Sequence, residues 1–176
     1  MALTFVLGGA RSGKSALAVR LATTFGSPIV VVVVTAEARD DEMTERIRRH
    51  QEARPSEWQT VEAPVELAGA IDSLGDDVAV VLDCLTLWVS NALEARLGDT
   101  AIVAEAEDVA RTLATRSEHA VVVSNEVGLG IVPTNALARR YRDVLGEVNA
   151  VFARVADRSY LMVAGRAVAL APPETA

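Results

Sequence analysis

Short, almost wholly apolar runs alternate along this chain with longer stretches of helical periodicity. Leu3 to Leu7, Pro28 to Thr35, Val78 to Leu82 and Ala120 to Ser124 are rich in β-branched residues and carry almost no polar positions. Runs of that kind predict strands covered on both faces, as in a parallel sheet. Between them, apolar residues recur at helical spacing over Ser15 to Phe25, Asp40 to Arg54, Pro64 to Leu74, Leu85 to Leu97, Thr100 to Thr115 and Asn135 to Ala156. Acidic Asp40, Asp41 and Glu42 suit the start of the second helix, and Pro55 stops it. Pro64 suits a first helical turn. Trp58 to Val61 predicts a short strand, and Tyr160 to Ala164 with Ala167 to Leu170 predicts a hairpin turning at Gly165-Arg166. Strands alternating with helices imply βαβ units and a mostly parallel sheet, with the loops after the strands gathered on one edge. Three such loops are expected there: Gly8 to Ser15, Thr35 onward and Asp83 onward. A single domain over residues 1–170 and a loose tail over 171–176 complete the expected organisation.

The first of these loops carries the strongest chemical signal. Gly8, Gly9, Ala10, Arg11, Ser12, Gly13, Lys14 and Ser15 stand between a strand and a helix and match the phosphate-loop pattern G-x-x-x-x-G-K-[ST]. Glycines let backbone N–H groups turn around phosphate oxygens, and the helix N-terminus adds positive potential. Lys14 is expected to reach the β- and γ-phosphates, and the Ser15 hydroxyl to face Mg2+. Lys14 is also the only lysine among 17 basic residues. A compact ammonium fits inside such a loop where a planar guanidinium does not.

Charge and composition narrow the function. A formal charge of -7 argues against a nucleic-acid or anionic-membrane surface, so an anionic nucleotide must be held by local donors. The longest apolar run, Ile29 to Val34, is too short to cross a bilayer, and the start of the chain lacks the basic region of a signal peptide. One cysteine, Cys84, permits no intrachain disulfide and suits a reducing cytoplasm; it reads as a small core residue. No N-K-x-D motif accompanies the phosphate loop, which argues against a signalling-type GTPase.

Four further places can carry chemistry. Asp83 ends an apolar strand, the usual place of a Mg2+-holding carboxylate in a phosphate-loop protein, although an ordinary helix N-cap fits the same position. His50 shares one helical face with Met43, Ile47 and Arg54, and stands among Arg46, Arg48 and Arg49. It reads either as a nucleophile among phosphate-holding arginines or as a solvated histidine on a charged helix. Asn125 and Glu126 open a loop with two glycines and a proline at the ligand-binding edge of an open α/β sheet; a substrate role and a plain connector both fit. His119 reads as a surface or strand-start residue. A simple phosphate-loop kinase and a nucleotide-sensing module both remain open on these residues.

G-G-A-R-S-G-K-S at Gly8 to Ser15, D-D-E-M at Asp40 to Met43, R-I-x-x-H at Arg46 to His50, R-P at Arg54-Pro55, Trp58 and N-E-V-G-x-G-I-V-P at Asn125 to Pro133 occur together. The combination closely resembles the bifunctional adenosylcobinamide kinase / adenosylcobinamide-phosphate guanylyltransferase family of cobalamin biosynthesis, over nearly the whole chain. The resemblance implies two reactions: phosphorylation of adenosylcobinamide by ATP or GTP, then transfer of GMP from GTP to that phosphate with release of pyrophosphate. It implies that His50 carries GMP covalently. It further implies nucleotide contacts at Gly8 to Ser15, at Val34, Thr35 and Ala36, at Ala53, Arg54, Pro55 and Ser56, and at the acidic positions Glu62 and Asp83. A RecA-like P-loop NTPase fold, a mostly parallel sheet flanked by helices, and a homotrimer are implied as well.

Overall fold

The computed structural model describes residues 3–172. Seven strands, β1 (Leu3–Gly8), β2 (Val30–Val34), β3 (Gln59–Glu62), β4 (Ala79–Asp83), β5 (Ala120–Asn125), β6 (Arg158–Val163) and β7 (Arg166–Leu170), form one sheet. Their order is β3-β2-β4-β5-β1-β6-β7. All neighbours pair in parallel except β6 and β7, which are antiparallel. Six helices connect or cover them: α1 (Lys14–Thr24), α2 (Asp41–Glu52), α3 (Leu67–Asp72), α4 (Leu85–Glu94), α5 (Asp99–Thr115) and α6 (Ala136–Val155).

The apolar runs become the inner strands because both of their faces are covered. Val31 and Val33 point into a large core with Trp88, Leu113, Leu145 and Phe152, on the side of α3 to α6. Val30 and Val32 alternate onto the other face and join a smaller cluster with Ala18 and Ala22 of α1. Each fully buried Leu, Val or Phe contributes about 1.5–3 kcal/mol relative to exposure, so the heavy face supplies most of the burial.

Two elements differ from the sequence expectation. Helix α3 begins at Leu67 and not at Pro64. The carbonyls of Pro64 and Val65 are taken by Asn91 Nδ2 at 3.0 Å and Trp88 Nε1 at 2.8 Å, which ties this stretch to α4. The Glu105 carboxylate then caps the delayed helix by accepting from Leu67 N–H at 3.0 Å and Ala68 N–H at 3.1 Å. The hairpin turns at Ala164-Gly165, one residue before the expected Gly165-Arg166, because Arg166 pairs with Val163. Both turn residues have positive φ, 49° and 77°, the twist a two-residue hairpin requires. Of the expected loose tail, residues 173–176 lie outside the described residues.

Candidate functional site

The phosphate loop leaves β1 at Gly8 and enters α1 at Lys14. A Cβ on Gly8 would lie 2.5 Å from the Met162 carbonyl oxygen of β6, so only glycine fits there. Gly13 takes φ 98° as the N-cap of α1, a conformation that also favours glycine. Ser12 N–H donates to Gly9 O at 3.3 Å, and the Ser12 carbonyl accepts from Gly165 N–H at 3.0 Å. The β6–β7 turn therefore braces the loop. Lys14 is buried and folds back, its Nζ donating to Gly9 O at 2.6 Å. Burial pushes the Lys14 ammonium below its ordinary pKa; nearby Asp83 and Cys84 oppose the shift and Arg46 adds to it.

Strand β5 separates β1 from β4, so the loop and Asp83 stand two strands apart on the same edge. Between them β5 ends at Asn125, opposite Gly8 in register. Asn125 N–H donates to Thr86 Oγ1 at 2.8 Å, and Glu126 N–H donates to Gly8 O at 3.2 Å. The Glu126 carboxylate turns back to accept from Gly128 N–H in its own loop.

Beyond Asp83 the edge opens into a cavity of about 470 Å³. Its floor is the ends of β2, β3 and β4, its walls the segment after β2 and one face of α2. Helix α2 starts where Asp40 caps it, Oδ1 accepting from Met43 N–H at 2.7 Å, with Asp41 and Glu42 in the first turn. None of its residues is fully buried, but Met43, Ile47 and His50 line the cavity, as their common face predicts. The surrounding arginines divide. Arg48 and Arg49 pair with Glu45 along the helix, while Arg46 and Arg54 line the cavity.

His50, Arg54 and Asp83 converge. Asp83 Oδ2 lies 3.3 Å from Arg54 Nη2 and 3.6 Å from His50 Nδ1, the second an ion-pair distance longer than a hydrogen bond. Burial by itself would raise the Asp83 carboxyl; the imidazole and the guanidinium outweigh it and hold the group below the usual carboxylate value. The second guanidinium nitrogen, Arg54 Nη1, is buried without a hydrogen-bond partner among the described residues.

Of the residues singled out in the sequence, Val34, Ala36, His50, Arg54, Glu62 and Asp83 line this one cavity. Gly8 to Ser15 do not; they form the neighbouring loop. Thr35 is buried behind the cavity, where it supports the Asp83–Cys84 segment. Ala53, Pro55 and Ser56 follow the end of α2 and do not line the cavity. Cys84, expected in the core, packs against the smaller core cluster and also lines the cavity, and burial pushes its thiol up, away from the reactive thiolate. His119 stands at the start of β5, far along the strand from this edge, stacked on Phe25 with ring centroids 4.5 Å apart.

Arg39 was not singled out. Its guanidinium reaches Asn91 Oδ1 at 3.0 Å and pairs with Glu37 and Glu94, which fixes the segment after β2 against α4. Asn91 also donates to Thr35 O at 2.8 Å. The one amide in the apolar-rich helix over Leu85 to Leu97 was the available signal.

The architecture is shared with solved P-loop NTPases. The type III secretion ATPase EscN from enteropathogenic Escherichia coli superposes with a TM-score of 0.63 at 11% identity, over 93% of this chain and 43% of that one. The RadB recombinase superposes with a TM-score of 0.52 at 19% identity, over 91% of this chain and 73% of that one. These likenesses show the fold, a RecA-like α/β sheet. Sequence relatives are nearer. The bifunctional adenosylcobalamin biosynthesis protein CobP of Pseudomonas aeruginosa is 41% identical over 163 residues, covering 91% of this chain and 92% of the relative. The corresponding protein CobU of Salmonella typhimurium is 38% identical over 176 residues, covering 93% and 96%. The family model described as cobinamide kinase / cobinamide phosphate guanyltransferase matches residues 4–170. With that match spanning the phosphate loop, the α2 cavity and the final hairpin, the chain belongs to the cobinamide kinase / cobinamide phosphate guanyltransferase family.

Proposed function

We propose that this edge of the sheet performs both family reactions. Adenosylcobinamide receives the γ-phosphate of ATP or GTP. GMP from GTP is then carried on His50 and passed to the cobinamide phosphate, giving adenosyl-GDP-cobinamide and pyrophosphate. The observation that carries this is the place of His50, on the wall of a nucleotide-sized cavity against Asp83, at the same sheet edge as Lys14.

The phosphate loop would hold the triphosphate, with Lys14 exchanging its bond to Gly9 O for phosphate oxygens. The unpartnered Arg54 Nη1 is a buried donor awaiting an acceptor, and a phosphate oxygen supplies one. In guanylyl transfer, His50 attacks the α-phosphorus, an N–P bond forms, and the P–O bond to pyrophosphate breaks. An oxygen of the cobinamide phosphate then attacks the same phosphorus and releases the imidazole. In the kinase step the loop positions the γ-phosphate for in-line attack by the acceptor hydroxyl. Asn125 and Glu126 stand between loop and cavity, where an acceptor would approach; the inward turn of the Glu126 carboxylate leaves its backbone and Asn125 as the nearer polar groups.

Mg2+ fits the residues present. The Ser15 hydroxyl and Asp83 Oδ1 make no hydrogen bond among the described residues, and Mg2+ commonly takes few protein ligands beside phosphates and water. Held there, the ion would neutralise phosphate charge. A homotrimer and a cytoplasmic location belong to the same proposal. The exposed Leu129, Ile131 and Val132 offer apolar surface for another copy, and among the described residues no helix is long and apolar enough to cross a membrane.

GTP labelled at the α-phosphate tests the central claim. Label that survives denaturation, is acid-labile and maps to His50 supports it. Absence of label with nucleotide binding intact would leave a plain kinase or a nucleotide sensor.

A further inference from the structure

We propose that Asp83 positions His50 for guanylyl transfer by holding its Nδ1, so that Nε2 is the atom that takes GMP. The inference rests on the guanylyl-transfer function proposed above and adds the atom and the residue that selects it.

The two partners are unequal. Asp83 closes β4, and its backbone is paired in register with Val34 on one side and Val123 on the other. Its side chain is 12% exposed. His50 sits on a helix with no fully buried residue, its own side chain 36% exposed. The strand-held carboxylate is thus the fixed member and the imidazole the one that is oriented. Nδ1 faces Asp83 Oδ2 at 3.6 Å, a contact of the kind that tightens when substrate arrives. Nε2 makes no hydrogen bond among the described residues, and the side chain lines the cavity.

A neutral imidazole has one N–H and one lone pair, and the partner of one nitrogen decides which is which. A carboxylate facing Nδ1 keeps the proton there and leaves the lone pair on Nε2. That lone pair forms the N–P bond, and the electron pair of the breaking P–O bond leaves with pyrophosphate. The ring keeps its Nδ1 proton and becomes cationic, with the Asp83 charge beside it. When the acceptor phosphate attacks, the N–P electrons return to Nε2 and no proton has moved on the ring. Arg54, on the same carboxylate oxygen, holds Asp83 in place.

Two measurements on the full chain with 15N-labelled histidine decide this. In the metal-free protein, nitrogen NMR reads the His50 tautomer; after reaction with GTP, 31P–15N coupling reads which nitrogen carries phosphorus. The expected results are an Nδ1–H tautomer and GMP on Nε2. In Asp83→Ala the tautomer bias should be lost, and in Asp83→Glu it should partly return. GMP on Nδ1, or the same tautomer in folded Asp83→Ala, overturns the proposal and leaves guanylyl transfer standing. No GMP on His50 at all overturns guanylyl transfer itself, and the proposal with it. The wild-type linkage decides the question even where Asp83→Ala does not fold.

Discussion

Thr35 holds Cys84 by both of its backbone groups. The Thr35 hydroxyl donates to Cys84 O at 2.6 Å and accepts from Cys84 N–H at 3.1 Å. Thr35 is fully buried just past the end of β2, and Cys84 follows Asp83 at the end of β4. One side chain thus joins two neighbouring strand ends at the point where Asp83 is presented. Thr35→Val keeps the shape and leaves the buried Cys84 N–H unpaired, with Cys84 O keeping only its bond from Trp88 N–H at 3.3 Å, a loss of about 1–3 kcal/mol. Urea denaturation should show a lower midpoint with an unchanged slope, and guanylylation should weaken more than the stability loss accounts for.

Gly8 and Gly9 are adjacent and should respond unequally to alanine. A Cβ at Gly8 meets the Met162 carbonyl at 2.5 Å, and neither backbone can step aside without disturbing the β1–β6 ladder. Overpacking of this kind costs about 1–3 kcal/mol or more. A Cβ at Gly9 meets nothing within 4 Å. Thermal unfolding of Gly8→Ala should therefore fall well below wild type while Gly9→Ala stays within about 0.5 kcal/mol of it.

Lys14 is kept at a cost to the fold. Burial depresses its pKa below 10.5, which means the folded chain disfavours the charged ammonium present at pH 7. Lys14→Met retains the stem and removes the charge. Its thermal midpoint should equal or exceed that of wild type, while nucleotide affinity drops roughly 10- to 100-fold through loss of charge-assisted bonds to phosphate. Calorimetry and equilibrium binding on the same preparation check both halves; a destabilised variant would refute the first.

Asp83 fixes the acid limb of stability. Its folded pKa lies below the ordinary value of 3.8, so its pairing stabilises the chain fully above that pH. As pH falls below about 3.8 toward the folded pKa, the unfolded state takes up the proton first and the contribution is lost. Asp83→Asn removes the linkage. Denaturant midpoints followed from pH 5 down to about 2.5 in chelator should fall less steeply for Asp83→Asn than for wild type. Parallel slopes would show that the carboxylate is not paired in solution.

Much of this molecule is local and is written in the order of its residues. A run such as Val30 to Val34 has no polar face to expose, so it becomes an inner strand wherever it pairs. Glycines before Lys14 and Ser15 set the phosphate loop, and Asp40 followed by acidic residues starts α2, because caps and turns are satisfied within a few residues. The common face of Met43, Ile47 and His50 follows from helical period alone. What meets that face does not. His50 and Asp83 stand 33 positions apart and come together only because β4 pairs beside β2, a choice made by long-range packing. The insertion of β5 between the phosphate-loop strand and the Asp83 strand has the same origin. So do the delayed start of α3, where side chains of α4 capture the carbonyls of Pro64 and Val65 ahead of it, and the anchoring of Arg39 by Asn91. Period and capping act within a turn or two of chain and are legible there; strand order and side-chain capture depend on surfaces that exist only once the sheet has formed.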